Sequence, residues 1–172
     1  MRADREAEYR DFVTTRGERL RRYAYLCCGD WHLAEDVTQN ALVRLYAAWG
    51  RARKESVDAY ARRIITNALI DERRRGWFRR ERVAETLPDA VTAHHDDGRA
   101  ERLTLLDAVF RLTPKQRAAV VLRYWEDLPI EQTARILNCS TGAVKGLTTR
   151  GLDTLRGLLT DEVPLTDQGA TS

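Results

Sequence analysis

Residues 129–145 read Pro-Ile-Glu-Gln-Thr-Ala-Arg-Ile-Leu-Asn-Cys-Ser-Thr-Gly-Ala-Val-Lys, and this spacing predicts two helices joined by a tight turn. Ile130, Ala134 and Leu137 share the inner face of the first helix, where small Ala134 lets a second helix cross closely. Asn138, Cys139 and Ser140 make the turn. Asn138 suits a C-cap, and the Ser140 hydroxyl can cap the helix that follows. Val144 packs back at the crossing, and Leu152, Leu155 and Leu159 continue its stripe. The outer face then presents Thr141, Lys145, Thr149 and Arg150 near the helix start, where a recognition helix meets the major groove. Lysine and arginine neutralise phosphates or contact guanine, and threonine reaches base edges or thymine methyls. The plainer alternative is an αα-hairpin with a solvated polar face.

Outward from this motif almost everything reads as helix, which makes the chain all-α. Only four prolines occur, and no run alternates β-branched with polar residues. Helices are expected over about 5–28, 33–49 and 56–76, then 102–112, 114–126, 129–137 and 141–159. Gly29-Asp30 stops the first helix, and Gly50 the second. Residues 50–55 form a short basic loop. Residues 83–101 contain Pro88, His94, His95 and Gly98 and few large apolar groups, which is a linker by composition. The two histidines have no companion ligand nearby, so no metal is expected. The organisation is therefore two small helical domains, 1–82 and 102–159, joined by a flexible linker, with a polar tail at 160–172. Modules of ~60–80 residues each have a thin core.

The 172 residues are 43% hydrophobic and 32% charged, with a net charge of +3. Divided along the chain, the charge is 0 over 1–50, +6 over 51–82, −4 over 83–101, +4 over 102–159 and −3 over the tail. Two basic blocks separated by an acidic one suit a polyanion touched at two places, and solvated helix faces are the competing reading. No apolar run approaches the ~20 residues of a membrane span, so no membrane insertion is expected. The opening residues carry no secretory h-region. Three cysteines, Cys27, Cys28 and Cys139, fit reduced thiols in a cytoplasmic protein. No nucleophile with a base, carboxylate pair or metal cluster stands out, so no catalytic residue and no cofactor are expected.

Two other helices carry candidate surfaces. On the helix over 56–76, the stripe Val57, Tyr60, Ala61, Ile64, Ile65, Ala68 and Leu69 faces inward. Arg62, Arg63, Thr66, Asn67, Arg73 and Arg74 are placed opposite, followed by Arg75, Trp77, Phe78, Arg79 and Arg80. A basic face ending in aromatics suits unstacked nucleic acid, with arginines on phosphates and rings on bases; aromatics packed under the domain are the alternative. On the second helix, Leu33, Val37, Ala41, Leu45 and Trp49 face inward. The opposite face, Asp36, Gln39, Asn40, Val43 and Ala47, can dock another protein's helix or simply be solvated.

Four stretches, in order along the chain, resemble the extracytoplasmic-function (ECF) sigma factors of the sigma-70 family. They are Gly29-Asp30-Trp31-His32-Leu33-Ala34-Glu35-Asp36-Val37-Thr38-Gln39, Ala59-Tyr60-Ala61-Arg62-Arg63-Ile64-Ile65-Thr66-Asn67, Leu112-Thr113-Pro114-Lys115-Gln116-Arg117, and the helix-turn-helix itself. The tryptophan-bearing start of the second helix resembles the actinobacterial SigE-like branch. The resemblance implies a region 2 and a region 4, and core RNA polymerase and promoter DNA as partners, with an anti-sigma factor as a further partner of the same kind. It implies that Asp36, Gln39, Asn40, Val43 and Arg44 meet polymerase. It assigns the −10 element and the melted strand to Arg51, Arg53, Lys54, Arg63, Asn67, Arg73, Arg74, Arg75 and Trp77. The −35 groove falls to Ser140, Thr141, Lys145, Thr149 and Arg150.

Two departures bear on this. Where the family often has Lys-Ser-Arg-Leu, this chain has Lys145-Gly146-Leu147-Thr148, which removes one common arginine contact; Gln132-Thr133-Ala134 replaces the usual Glu-Ile-Ala. The linker is long enough: its residues extend to at most ~63–68 Å, against DNA elements nearly two turns of ~34–36 Å apart. A stand-alone helix-turn-helix regulator and a DNA-acting enzyme such as a recombinase are the competing function classes.

Overall fold

The computed structural model describes residues 2–84 and 104–161, and side-chain surroundings for all of these except 73–74 and 76–84. The expected linker, save its first two residues, and nearly all of the expected tail lie outside the described residues. Every regular element described is helical: α1 (Arg2–Cys28), α2 (Trp31–Ala47), α3 (Trp49–Ala52), α4 (Val57–Ala84), α5 (Leu105–Phe110), α6 (Pro114–Val120), a π-helical turn (Val121–Trp125), α7 (Ile130–Leu137) and α8 (Thr141–Thr160).

The boundaries follow from local chemistry. Gly29 adopts φ 74° to end α1, and its N–H returns to the Tyr25 carbonyl at 2.7 Å. Asp30 then caps α2, its Oδ1 accepting from the N–H groups of His32 and Leu33 at 2.8 and 3.2 Å. Thr104 and Thr113 each form a reciprocal capping box, with Asp107 and Gln116 respectively, so two orphan donors are satisfied at each start. Pro114 occupies the first turn of α6, as its missing N–H permits. Pro129 is the N-cap of α7.

Three boundaries differ from the sequence expectation. The basic loop at 50–55 begins as a single helical turn, α3, because buried Trp49 anchors it under α1. The helix expected to stop at Gly76 continues to Ala84. The helix expected over 114–126 widens after Val120 into the π turn, where the Glu126 N–H reaches the Val121 carbonyl at 2.9 Å.

The main core joins α1, α2, α3 and α4 through Leu20, Tyr23, Val37, Leu45, Trp49 and Ile65. It does not end with the first half of the chain: Val121, Leu122 and Ile136 of the second half belong to it. A smaller cluster of Ala108, Leu112, Val120 and Leu155 holds α5, α6 and α8 together. The thin cores expected of two small modules are thus relieved by sharing.

The shared face also buries residues expected to be outside. Arg62 is only 3% exposed and Thr66 is buried, because α7 packs on the side of α4 expected to meet solvent and Glu126 pairs with Arg62 there. Thr66 donates to the Arg62 carbonyl at 2.7 Å and pairs with the buried Tyr23 hydroxyl at 2.7 Å. On α7, Thr133 and Ile136 are fully buried as well as Ala134. That helix packs on α8 with one face and on α4 with another.

Where α8 crosses α6, a Cβ on Gly151 would lie 2.8 Å from Val120 Cγ2, whereas Gly157 has open space around it. The two glycines predict opposite outcomes. Gly151→Ala should destabilise the chain by about 1–2 kcal/mol through overpacking, with partial rescue by Val120→Ala. Gly157→Ala should stabilise by about 0.5–1 kcal/mol through helix propensity. Urea unfolding of the variants checks both signs.

Candidate nucleic-acid interface

The helix-turn-helix is assembled by its caps. Asn138 takes the left-handed conformation (φ 51°, ψ 51°) at the end of α7, and the Cys139 N–H returns to the Ala134 carbonyl at 3.0 Å. Ser140 Oγ accepts from the Ala143 N–H at 3.0 Å and so starts α8. Val144 is fully buried at the crossing and Ala134 nearly so. With that inner face fixed, Ser140, Thr141, Lys145, Thr149 and Arg150 all stand exposed on the outer one.

The unusual Gly146-Leu147-Thr148 stretch has a physical account. Thr148 is buried where an apolar residue would serve, and its hydroxyl is satisfied within the helix by the Val144 and Lys145 carbonyls at 2.9 and 3.0 Å. Gly146 has no side chain in the way of Arg150, whose guanidinium folds over it: a Cβ there would lie 3.2 Å from Arg150 Nη1. The basic group is thereby carried one turn toward the helix start.

The second surface surrounds α3 and the start of α4. Arg51, Arg53, Lys54, Asn67 and Arg75 are exposed and Arg63 is half-buried. Two of these cations are paired internally: Arg53 Nε lies 3.2 Å from Glu8 and Arg63 Nη2 lies 3.1 Å from Glu55. The side chains of Arg73, Arg74 and Trp77 lie outside the described residues, although their backbone continues α4.

On α2, Asp36, Gln39, Asn40, Val43 and Arg44 are all exposed along one face. Val43 is 68% exposed, an apolar side chain facing outward with polar groups on both sides. Gln39 is held by Glu35 at 3.0 Å, and Glu35 also pairs with Arg21 at 3.3 Å. These two neighbours hold the Glu35 carboxyl below its usual range, the Gln39 hydrogen bond first.

Sequence reasoning missed the groups that tie the halves together. Glu126 and Arg62 form a nearly dry ion pair, Oε2 to Nη2 2.5 Å, their side chains 6% and 3% exposed. Arg19 Nε joins the same oxygen at 3.2 Å and Asp58 Oδ1 meets Arg62 Nη1 at 3.2 Å. Arg117, 1% exposed, donates to the Cys27 carbonyl at 2.6 Å, to Val109 at 3.1 Å, to Phe110 and to Leu112. Nothing in the local pattern signals Glu126, whose partners lie far away in sequence. Burial also pushes the Cys27 thiol up to about 12, which removes it from thiolate chemistry near neutrality. Among the described residues no cluster of His, Cys, Asp or Glu could hold a metal ion, and no helix is long and apolar enough to cross a membrane.

A capped two-helix turn at Asn138–Ser140, with α8 buried on one side and exposed on the other, defines the class as a helix-turn-helix protein. Comparison with known proteins gives the family. The Sigma-70 region 2 model matches residues 12–79 and the Sigma-70 region 4 model matches residues 102–155. The RNA polymerase sigma-E factor of Streptomyces avermitilis is 40% identical over 154 residues, covering 87% of this chain and 83% of that protein. That of Streptomyces coelicolor is 36% identical over 154 residues, with 87% and 84% covered. The ECF RNA polymerase sigma factor SigW of Bacillus subtilis is 29% identical, with 89% of each chain covered. In fold, the chain is similar to the sigma factor RpoE from Bartonella quintana, solved with the anti-sigma factor NepR, at TM-score 0.71 and 21% identity over 91% of this chain and 99% of that one. The chain belongs to the ECF sigma factors of the sigma-70 family.

Two substitutions test the geometry of the helix start. Ser140→Ala should cost about 1 kcal/mol through loss of the cap, read as a lower urea midpoint and faster amide exchange at Ala143. Gly146→Ala should displace the Arg150 guanidinium and weaken duplex binding while raising helix stability, so the two readouts move in opposite directions.

Proposed function

We propose that this sigma factor uses three surfaces: the α2 face for core polymerase, the α3–α4 surface for the −10 element, and the start of α8 for the −35 groove. The observation that carries the reading is the sidedness of α8. Val144, Thr148, Gly151 and Leu155 are buried while Ser140, Thr141, Lys145, Thr149 and Arg150 are all exposed. That is the division a helix needs when its outer face enters a groove.

Each surface supplies a different part of the work. Exposed Val43 among Asp36, Gln39, Asn40 and Arg44 gives polymerase an apolar anchor with a polar rim, the arrangement of an interface hot spot. Arg51, Arg53, Lys54 and Arg75 neutralise phosphates beside the −10 element, and Asn67 offers an amide to base edges; Arg73, Arg74 and Trp77 are proposed to continue this surface along the opened strand. Arg53 and Arg63 must first exchange Glu8 and Glu55 for DNA, which weakens binding by the chain alone. The protein performs no chemistry itself and acts in the cytoplasm, where it places polymerase on a promoter. An anti-sigma factor would act by covering the α2 face. The stand-alone regulator leaves that face without a role.

Run-off transcription with purified core polymerase tests the reading. Promoter-dependent product is expected with the chain and not without it. Val43→Asp, at an exposed site, should leave thermal stability unchanged and weaken polymerase binding by about tenfold or more. Lys145→Ala should weaken promoter binding by the holoenzyme across sequences and lower its salt slope by about 1. Tight promoter binding by the free chain at physiological salt, with no polymerase-dependent product, would favour the stand-alone regulator.

A further inference from the structure

Glycine inside a helix costs stability relative to alanine, and Gly151 offsets that cost by letting α8 cross close to Val120. Gly146 has a different account. The three atoms nearest to a Cβ placed on it are Nη1, Nη2 and Cζ of Arg150, at 3.2, 3.4 and 3.6 Å. None of them belongs to another helix, so close packing between helices does not require this glycine. What a side chain at 146 would displace is a guanidinium.

The place it occupies gives this contact its meaning. The buried stripe of α8 is Val144, Thr148, Gly151 and Leu155. By the helical period Gly146 stands opposite that stripe, at the middle of the face that enters a groove. Lys145, one residue earlier, stands toward the side of that face, where the phosphate backbone borders a groove. Long side chains on a helix lean toward its N-terminus and cover the turn before their own Cα. Over a bare Gly146, the Arg150 guanidinium lies down on the middle of the outer face instead of being held off it. Arg150 is the first arginine of α8, and Leu147 beside it is half-buried. Among the described residues Arg150 has no ion pair, whereas Arg156 of the same helix is held by Asp153 at 3.3 Å.

We propose that Arg150 reads a guanine in the −35 element and that Gly146 is its positioning residue, setting specificity at one base pair. A guanidinium at the middle of the face meets the groove floor, where guanine offers O6 and N7 side by side to a planar fork of donors. Lys145 at the side meets phosphate, which fixes affinity and register and carries no sequence information. A Cβ at 146 lifts the fork off that line and leaves its charge in place. What is lost is discrimination at one position, not the general attraction to DNA. The proposal deepens the −35 reading of α8 and rests on it.

The test is a selection. Holoenzyme made from core polymerase and the full-length chain binds promoter DNA randomised across the −35 element, and the bound sequences are counted position by position. The same selection is run with Gly146→Ala, Arg150→Ala and Lys145→Ala. The wild-type chain should prefer guanine at one position by about tenfold or more. Arg150→Ala should abolish that preference and leave the other positions as they are. Gly146→Ala should reduce it at the same position by about fivefold or more, although this variant unfolds at higher urea. A merely structural role for Gly146 would move the urea midpoint and leave the base profile intact. Lys145→Ala should weaken binding to all sequences with the profile unchanged. Absence of a guanine preference that depends on Arg150 would overturn the base reading, and an intact profile in Gly146→Ala would overturn the positioning. Should core polymerase add nothing to promoter selection, the sigma-factor reading fails, and selection from the same library by the chain alone at low salt still decides both residues.

Discussion

A guanidinium with almost no access to water sets the relation between the halves. Arg117 meets four carbonyls, three near the end of α5 and one in the last turn of α1. Carbonyls at helix ends lack intrahelical donors and carry the negative end of the helix dipole, so one cation satisfies both termini. Its planar fork of donors is what makes this geometry accessible; a lysine presents its donors from a single nitrogen. Once Arg117 is seated, the other contacts of that corner follow. Gly29 must lie close to the Phe110 ring, about 3.4 Å from a Cβ placed there, and Tyr25 stands edge-on to the same ring. The opposite end of the same helical segment carries Glu126, so the second half is tied to the first by a cation at one end and an anion at the other.

Much of the fold was legible because it is written in local chemistry. Asp30 and Ser140 mark helix starts by side chains that accept from backbone N–H groups, and Asn138 marks a helix end by tolerating the left-handed conformation. The inner stripes of α2 and α8 follow one 3.6-residue period because each helix buries a single stripe. Periodicity fails where neighbours cover a second face. Arg62 and Thr66 look outward by the pattern of α4, yet both are buried. Polar residues mark that second face. Arg62 finds Glu126 and Thr66 finds Tyr23, so neither reads as core in the sequence. The candidate site fared better than the core for the same reason: Val43, Lys145 and Arg150 lie on faces with no neighbour, where local pattern is the whole story.

Pairing within the chain changes the meaning of the charge pattern. A basic block over 51–82 and another over 102–159 suggested two cationic surfaces. Several of those cations are instead committed within the chain, Arg62 and Arg117 to the joint and Arg53 and Arg63 to Glu8 and Glu55. What remains on offer to a phosphate backbone is a smaller set, led by Arg51, Lys54, Lys145 and Arg150. A modest net charge therefore overstates what the free chain can present.

The π turn has an optical consequence. Its extra residue shifts the helical phase so that Glu126 points into the joint, and the same shift leaves Tyr124 and Trp125 facing water, Trp125 65% exposed. The inward carboxylate and the outward indole are one backbone feature seen from two sides. The chain thus carries its own fluorophore one residue from the buried ion pair, while Trp49 stays dark to quenchers in the core. Because Trp31 is also 48% exposed, a quencher of exposed indoles would report on the π turn in a chain whose Trp31 and Trp77 are replaced by phenylalanine.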